Sequence, residues 1–211
     1  MAKTTRGHLF CVTAPSGAGK SSLVKELLAA DENVHLSVSY TTRQPRRGEQ
    51  DGVDYHFVST ETFEAMRAAG DLLEWAYVHG NYYGTSAKWI VNELAGGADI
   101  LLEIDYQGAR QVQMVFPEVV GIFILPPSME VLQKRLENRA TDTPEVIRER
   151  MRNAQRELDQ ATSFEYVIIN EDFDRAKDDL IAIVRAKRLE TRSQMLVNAS
   201  LFEKLNIALP R

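Results

Sequence analysis

Residues 8–22 of this 211-residue chain read HLFCVTAPSGAGKSS. The first six of these residues form a short apolar run that is typical of a β-strand, and Lys20–Ala30 carries leucines at helical spacing. Between the two lies a loop that contains Gly17 and Gly19. The order strand, glycine-rich loop, helix matches the second half of the phosphate-binding pattern G-x-x-x-x-G-K-[ST], with Ala14 in place of the first glycine.

This loop predicts a nucleotide-phosphate site. Gly17 and Gly19 allow backbone N–H groups to point inward at phosphate oxygens, and the helix that follows adds its positive N-terminal end. Lys20 is predicted to reach the outer phosphates and Ser21 to ligate Mg²⁺. Ala14 is compatible with this function if its position does not require a positive φ. The predicted contacts are Ala14, Pro15, Ser16, Gly17, Ala18, Gly19, Lys20, Ser21 and Ser22.

Composition excludes several classes of protein. The net charge of −5 argues against a protein whose whole surface binds nucleic acid. No apolar stretch approaches the roughly 20 residues that a membrane-spanning helix needs. A single cysteine, Cys11, cannot form an intrachain disulfide, which suits the cytoplasm. We therefore expect a cytoplasmic protein with neither nucleic acid nor membrane as a partner.

The rest of the chain alternates between strand and helix patterns. Continuous apolar runs at residues 100–104, 119–125 and 167–169 predict buried parallel strands, and the helical segments between them predict cover on both faces. The fold class is therefore α/β. Residues 173–192 are predicted to form one long amphipathic helix. Residues 34–52 are predicted to be an extended, polar, ligand-facing segment rather than core.

Five further segments resemble the guanylate kinase family, and they follow the family's order. They are SVSYTTRQPRRGE (37–49), GVDYHF (52–57), LEWA (73–76), GNYYGT (80–85) and EIDYQG (103–108). The resemblance covers about residues 8–189, which is nearly the whole chain. It implies transfer of a phosphoryl group from ATP to GMP, with Mg²⁺ as cofactor.

The resemblance also implies a domain organisation. A P-loop three-layer core with a parallel sheet would comprise residues 1–36, 95–138 and 158–211. A GMP-binding subdomain, residues 37–94, would be inserted into it, and residues 139–157 would form a mobile lid. Both inserted parts are expected to close on the substrates, because an open site would allow water to hydrolyse ATP.

The same resemblance assigns residues to GMP. Guanidinium groups bind phosphate bidentately, and tyrosine hydroxyls add donors without charge. A carboxylate at Glu74 would accept from the N1–H and N2–H₂ donors of guanine. The implied GMP contacts are Arg43, Arg46, Tyr55 and Tyr83 at the phosphate, Glu74, Ser39 and Thr85 at the base, and Asp105 near GMP and the water shell of the metal. Glu103 stands at a position that is often aspartate in the family.

At the ATP end, the resemblance implies that Arg135, Arg139 and Arg150 serve the ATP phosphates when the lid closes, and that Asn170 contacts adenine. Ion pairs within a solvated helix explain most of the neighbouring arginines equally well. The predicted catalytic residues are Lys20, Arg43, Arg139 and Arg150. No protein base is expected, because the GMP phosphate is mostly a dianion at neutral pH, with a second pKa of about 6.

Three alternative functions fit the sequence less well. A non-catalytic guanylate-kinase-like module that binds proteins would typically lose the phosphate-loop residues, which are intact here. A P-loop GTPase would need an Asn-Lys-x-Asp element, and residues 170–172 read NED. A kinase for another monophosphate fits Glu74 and Ser39 less well. The sequence predicts dGMP as a further acceptor, and it leaves open whether residues 195–209 pack on the core or mediate self-association into a homo-oligomer.

Overall fold

The computed structural model describes residues 7–46, 48–78, 80–138 and 144–207. The strands in chain order are β1 (Leu9–Thr13), β2 (Val34–Leu36), β3 (Tyr40–Thr41), β4 (His56–Phe57), β5 (Leu72–Val78), β6 (Asn81–Ser86), β7 (Asp99–Glu103), β8 (Val120–Leu125) and β9 (Tyr166–Ile169). The α-helices are α1 (Lys20–Ala30), α2 (Thr60–Ala69), α3 (Ala87–Gly96), α4 (Tyr106–Val115), α5 (Met129–Glu137), α6 (Pro144–Leu158), α7 (Phe173–Leu189), α8 (Thr191–Val197) and α9 (Ala199–Lys204).

The larger sheet is parallel, with the strand order β2-β7-β1-β8-β9. Its central strand β1 is buried on both faces because alternate side chains point in opposite directions. Phe10 and Val12 pack with apolar residues of α1 and α7, whereas Leu9 and Cys11 pack with apolar residues of α3 and α4. The predicted α/β core, a parallel sheet between two helical layers, is confirmed.

The smaller sheet has the order β4-β3-β6-β5 and lies between β2 and β7 in the chain. It is joined to the core by α4, which packs against β5. Gln111 of α4 accepts from the backbone N–H of Trp75 at 3.1 Å and donates to its carbonyl at 2.7 Å. Ile90 and Leu94 of α3 lie in the core cluster with strand β7. The exact borders of the inserted subdomain stay a prediction.

Two expectations about individual segments are wrong. Residues 34–52 are not wholly outside the core, because Val34–Leu36 pairs with β7 and Val34 is buried. Three residues are too few to show a strand pattern in the sequence. Residues 173–192 do not form one helix either: α7 ends at Leu189, and Glu190 has the extended angles φ −53° and ψ 141°.

The break at Glu190 directs α8 back towards the start of β1. Ser193 accepts or donates a hydrogen bond with His8 Nε2 at 2.7 Å, and the opposite ring nitrogen of His8 lies 3.0 Å from the carboxylate of Asp99. The first turn of the tail therefore packs on the core, while Leu201 and Leu205 of the later part are exposed. Self-association through this tail stays a prediction. Among the described residues there is no helix with the length and apolarity that a membrane span requires.

Candidate active site

The phosphate loop joins the end of β1 to the start of α1 and has the predicted conformation at both glycines. Gly17 and Gly19 adopt φ values of 95° and 96°, which side chains disfavour. A Cβ on Gly19 would also lie 2.3 Å from Nδ2 of Asn170. Ala14 does not have a positive φ, since Asn206 is the only non-glycine residue that does in the described part of the chain. The departure from the motif at Ala14 therefore leaves the loop intact.

Asn170 and Arg135 form hydrogen bonds that stabilise the backbone of this loop. Nδ2 of Asn170 donates to the carbonyl of Ala18 at 2.7 Å, and one nitrogen of the Arg135 guanidinium donates to the carbonyl of Asn170 at 3.1 Å. Asn170 is buried at the end of β9. Both residues thus lie beside the phosphate loop, where they fix its backbone. Their predicted contacts with ATP stay predictions.

Glu103, at the carboxyl end of β7, faces the start of α1. Ser21 Oγ donates to Glu103 Oε1, and Nζ of Lys20 lies 3.6 Å from the same oxygen. The strands β1 and β7 are parallel neighbours, so their carboxyl ends bring the loop and this carboxylate together. The Glu103 carboxylate therefore neutralises part of the Lys20 charge.

Glu74 is a buried carboxylate on the smaller sheet. It is 3% exposed, and its Oε1 accepts from Oγ1 of Thr85 at 2.6 Å across the β5–β6 pair. Burial raises the pKa of Glu74 to about 7, with a smaller increase from the charge of Asp105 and an opposing effect of the Thr85 hydrogen bond. This side chain opens onto a cavity of about 160 Å³, which is also lined by Lys20, Ser39, Tyr55, Tyr83, Glu103 and Asp105.

Arg43 is held by a carboxylate that the sequence did not single out. Its two terminal nitrogens donate to Glu49 at 3.0 and 2.9 Å, and the backbone N–H of Arg46 donates to the same carboxylate at 2.7 Å. The guanidinium also lies over the ring of Tyr55, 5.3 Å from its centroid. These interactions with Glu49 raise the pKa of Arg43 and lower that of Glu49.

The arginines face the phosphate loop across a second cavity, of about 320 Å³. Its lining contains Ala14, Pro15, Ser16, Gly17, Gly19, Lys20, Ser21 and Ser22 on one side, and Arg43, Arg46, Tyr55 and Tyr83 on the other. Tyr55, Tyr83, Lys20 and Glu103 line both cavities, so the two are neighbours. The structure therefore brings a phosphate loop, a cationic group and a buried carboxylate into one continuous site.

Glu157, near the end of α6, is a further site residue that sequence reasoning missed. It lines the larger cavity beside Ser16 and Lys20. Burial raises its pKa to about 7, helped by the charge of Asp105 and opposed by Lys20 and by the backbone N–H of Ser16. Arg150 lies on the same helix, two turns earlier. Arg139 lies outside the described residues.

Asp105 begins helix α4. Its Oδ1 accepts from the backbone N–H of Gly108 at 2.9 Å, which caps the helix. The other oxygen of Asp105, Oδ2, accepts a hydrogen bond from Nε2 of Gln107 at 3.3 Å. Asp105 lines the smaller cavity with Glu74 and Ser39, and its contact with GMP or the water shell of the metal stays a prediction.

Comparison with known proteins identifies the family of the chain. The family model described as guanylate kinase matches residues 6–187 of the chain. The chain belongs to the guanylate kinase family. It is 56% identical over 199 residues to the guanylate kinase of Dechloromonas aromatica, covering 94% of this chain and 98% of that protein. It is 54% identical to the guanylate kinase of Chromobacterium violaceum, covering 96% of each chain.

A solved structure gives the same result for the fold. The crystal structure of guanylate kinase from Anaplasma phagocytophilum superposes with a TM-score of 0.79 at 32% identity, covering 98% of this chain and 99% of that one. Membership of the guanylate kinase family therefore extends over the core, the smaller sheet and the site between them.

Proposed function

We propose that the chain transfers the terminal phosphoryl group of ATP to GMP and releases ADP and GDP. The observation that carries the proposal is the buried carboxylate of Glu74. Its single hydrogen bond within the described residues comes from Thr85, and the rest of the group faces the cavity beside the phosphate loop. Guanine presents adjacent N1–H and N2–H₂ donors, which a carboxylate accepts as a pair, whereas adenine presents an acceptor at N1.

The acceptor phosphate of GMP is proposed to bind between Arg43, Arg46, Tyr55 and Tyr83. These four residues line the wall of the larger cavity that faces the phosphate loop. A phosphate held there has its oxygen directed at a nucleotide phosphate held on the loop, which is the alignment that in-line transfer needs. No protein base is required, since the attacking oxygen is already ionised at neutral pH. The residues of this site act by orientation and by neutralising charge.

At the ATP end, the loop N–H groups and Lys20 are proposed to hold the outer phosphates. Lys20 is proposed to leave its ion pair with Glu103 and to contact the transferred phosphoryl group, where it stabilises the negative charge that develops during transfer. Arg135, Arg139 and Arg150 are proposed to add positive charge when α6 and the residues before it close over ATP. Asn170 is proposed to contact adenine, and closure of residues 37–94 and 139–157 is proposed to exclude water.

The side chains next to the loop suit Mg²⁺. Ser21 Oγ and the Glu103 carboxylate are adjacent oxygen donors at the phosphate loop, and Mg²⁺ is usually held by one or two such ligands together with substrate phosphates and water. Within the described ranges, no three His, Cys, Asp or Glu side chains form a group able to hold a metal. Ser21 is proposed as the direct ligand. When bound, the ion supplies charge neutralisation at the phosphates. A cytoplasmic location and use of dGMP stay predictions.

The test is a coupled assay of ADP formation with ATP and Mg²⁺, in which GMP, AMP, CMP and UMP are supplied in turn. We expect turnover with GMP that exceeds turnover with the other three by at least about a hundredfold, the discrimination that paired hydrogen bonds provide. Absence of GMP-dependent turnover in folded protein would contradict the proposal and would favour the alternative, a guanylate-kinase-like module that binds protein ligands.

A further inference from the structure

Gly108 is a glycine in a position where the backbone does not require one. It is the third residue of α4, is buried, and is not among the glycines with a positive φ. Glycine in a helix is less favourable than alanine, because its backbone loses more conformational entropy on folding. Alanine would therefore stabilise α4 if its methyl group had room, and the reason for glycine must lie in the surroundings.

Those surroundings are the carboxylate of Glu74. A Cβ on Gly108 would lie 2.4 Å from Oε2 and 3.1 Å from Cδ of Glu74, and 3.5 Å from Oδ1 of Asp105. A contact of 2.4 Å between carbon and oxygen is far inside van der Waals distance, so one of the two groups would have to move. The groups at risk are the Glu74 carboxylate and the helix itself.

Neither group is free to move. Glu74 is fixed on its other side, because Oε1 accepts from Thr85 at 2.6 Å. The helix is fixed one turn later, because Gln111 forms two hydrogen bonds with the backbone of Trp75, the residue next to Glu74. A methyl group at position 108 would therefore displace the Glu74 carboxylate towards the cavity or shift α4 relative to β5.

We propose that Gly108 is a specificity-determining positioning residue: by carrying no side chain, it sets where the Glu74 carboxylate stands and so sets the selectivity for guanine. The inference rests on the proposed function and deepens it. Gly108 acts through Glu74 rather than by touching the base. The ligand concerned is a 2-amino-6-oxopurine monophosphate. Its N1–H and N2–H₂ donors can both reach the carboxylate of Glu74 only when that group stands at one position.

The experiment compares Gly108→Ala with Gly96→Ala in the full chain. Gly96 is a matched control, because it is also helical, lacks a positive φ, and has nothing within 4 Å of an ideal Cβ. For Gly108→Ala we expect KM for GMP to rise about tenfold, the equivalent of one hydrogen bond of ordinary strength, with KM for ATP unchanged. The preference for GMP over inosine monophosphate, which lacks the 2-amino group, should fall by a similar factor. Gly96→Ala should leave all three quantities unchanged.

A second substitution tests the contact itself. Glu74→Asp shortens the side chain by one methylene and withdraws the carboxylate from position 108. In the combined variant, the effect of Gly108→Ala on KM for GMP should be smaller than it is alone, because residues in contact do not contribute independently. Effects that simply multiply would show that the two positions are uncoupled, and would overturn the proposal.

Folding is monitored by thermal unfolding with and without ATP. The increase in Tm caused by ATP should persist in Gly108→Ala, since the phosphate loop is unaltered. Loss of the ATP response together with GMP affinity would overturn the proposal, because the damage would then not be confined to the guanine end. If the unmodified chain does not phosphorylate GMP, the proposed function fails. If the unmodified chain phosphorylates GMP and Gly108→Ala has the same KM for GMP and the same preference over inosine monophosphate, only the proposed role of Gly108 fails.

Discussion

At the guanine end of the site, Glu74 is 3% exposed and has one hydrogen-bond partner among the described residues, Thr85. At the phosphate end, the cations already have carboxylate partners: Lys20 faces Glu103, and Arg43 is held bidentately by Glu49. Under the proposed function, the guanine end therefore presents a desolvated carboxylate, whereas the cations of the phosphate end exchange a carboxylate partner for phosphate. The proposal thus attributes selectivity for the base to the fold itself, and phosphate binding to a rearrangement of ion pairs.

The largest expected effect is a loss of kcat that follows from a change at the phosphate end. Lys20→Ala should lower kcat about a thousandfold, because it removes a preorganised charge from the transferred group. GMP affinity, measured by calorimetry without ATP, should change far less than kcat, because the proposed contact with guanine, Glu74, is retained. Lys25→Ala on the exposed side of the same helix is the matched control and should behave as the unmodified chain. A parallel loss of GMP affinity would contradict the separation of the two ends.

The second effect concerns stability at the guanine end. The pKa of Glu74 rises from 4.5 to about 7 on folding, so the folded state binds the proton more tightly and its stability falls as pH rises from about 4.5 to 7. Glu74→Gln removes this cost. The variant should be more stable than the unmodified chain by about 2 to 3 kcal/mol at pH 8, and the difference should nearly vanish at pH 4.

Urea unfolding at the two pH values measures this difference. The exposed Glu32→Gln serves as control, and its stability should match that of the unmodified chain at both. A Glu74→Gln variant that is destabilised at pH 8 would contradict this cost of burying the ionised carboxylate.

The third effect sharpens the account of the phosphate end. Glu49 fixes both terminal nitrogens of Arg43 and the backbone N–H of Arg46. Glu49→Gln should loosen this arrangement and raise KM for GMP about fivefold, the equivalent of one hydrogen bond of ordinary strength. KM for ATP should stay unchanged in the steady-state assay. A lower KM for GMP would mean that Glu49 competes with the phosphate rather than orienting Arg43.

The smallest effect is the pH dependence of GMP binding. The two guanine donors need the ionised carboxylate, so with a pKa of about 7 for Glu74 the apparent GMP affinity should fall as pH decreases through that value. Between pH 8.5 and 6.5 we expect a decrease of about fourfold, while GMP itself stays mostly dianionic. Calorimetric titration measures it. Glu74→Gln should abolish most of the pH dependence, and its persistence there would assign it to another group.

The fold could be predicted wherever a single segment has a clear apolar run or helical spacing of its own. The predicted limits of α1, residues 20–30, match the structure, and the apolar runs became β1, β7, β8 and β9. The break at Glu190 could not be predicted, because residues 189–192 contain neither glycine nor proline and the turn depends on contacts of α8 with His8. The phosphate loop was predictable for the same reason as α1: its chemistry and its backbone shape lie in adjacent residues.

The rest of the site could not be derived from spacing. The resemblance supplied Glu74 and Arg43, but the roles of Glu157 and Gly108 arise from contacts between distant elements. Glu49 contacts Arg43 and Arg46 within one turn of the chain, whose conformation the spacing alone does not give. A glycine at position 108 has no local signature, since its backbone is ordinary helix and the group that excludes a side chain lies 34 positions earlier in the chain. Residues that position a functional group are recognisable only once the fold brings the two together.

The most direct test of the account is calorimetric titration of GMP and of AMP into the unmodified chain and into Glu74→Gln at pH 8, without ATP. The account predicts that the unmodified chain binds GMP at least about a hundredfold more tightly than AMP, and that Glu74→Gln loses most of this preference while remaining folded. A Glu74→Gln variant that still discriminates GMP from AMP as well as the unmodified chain does would contradict the claim that this buried carboxylate selects guanine.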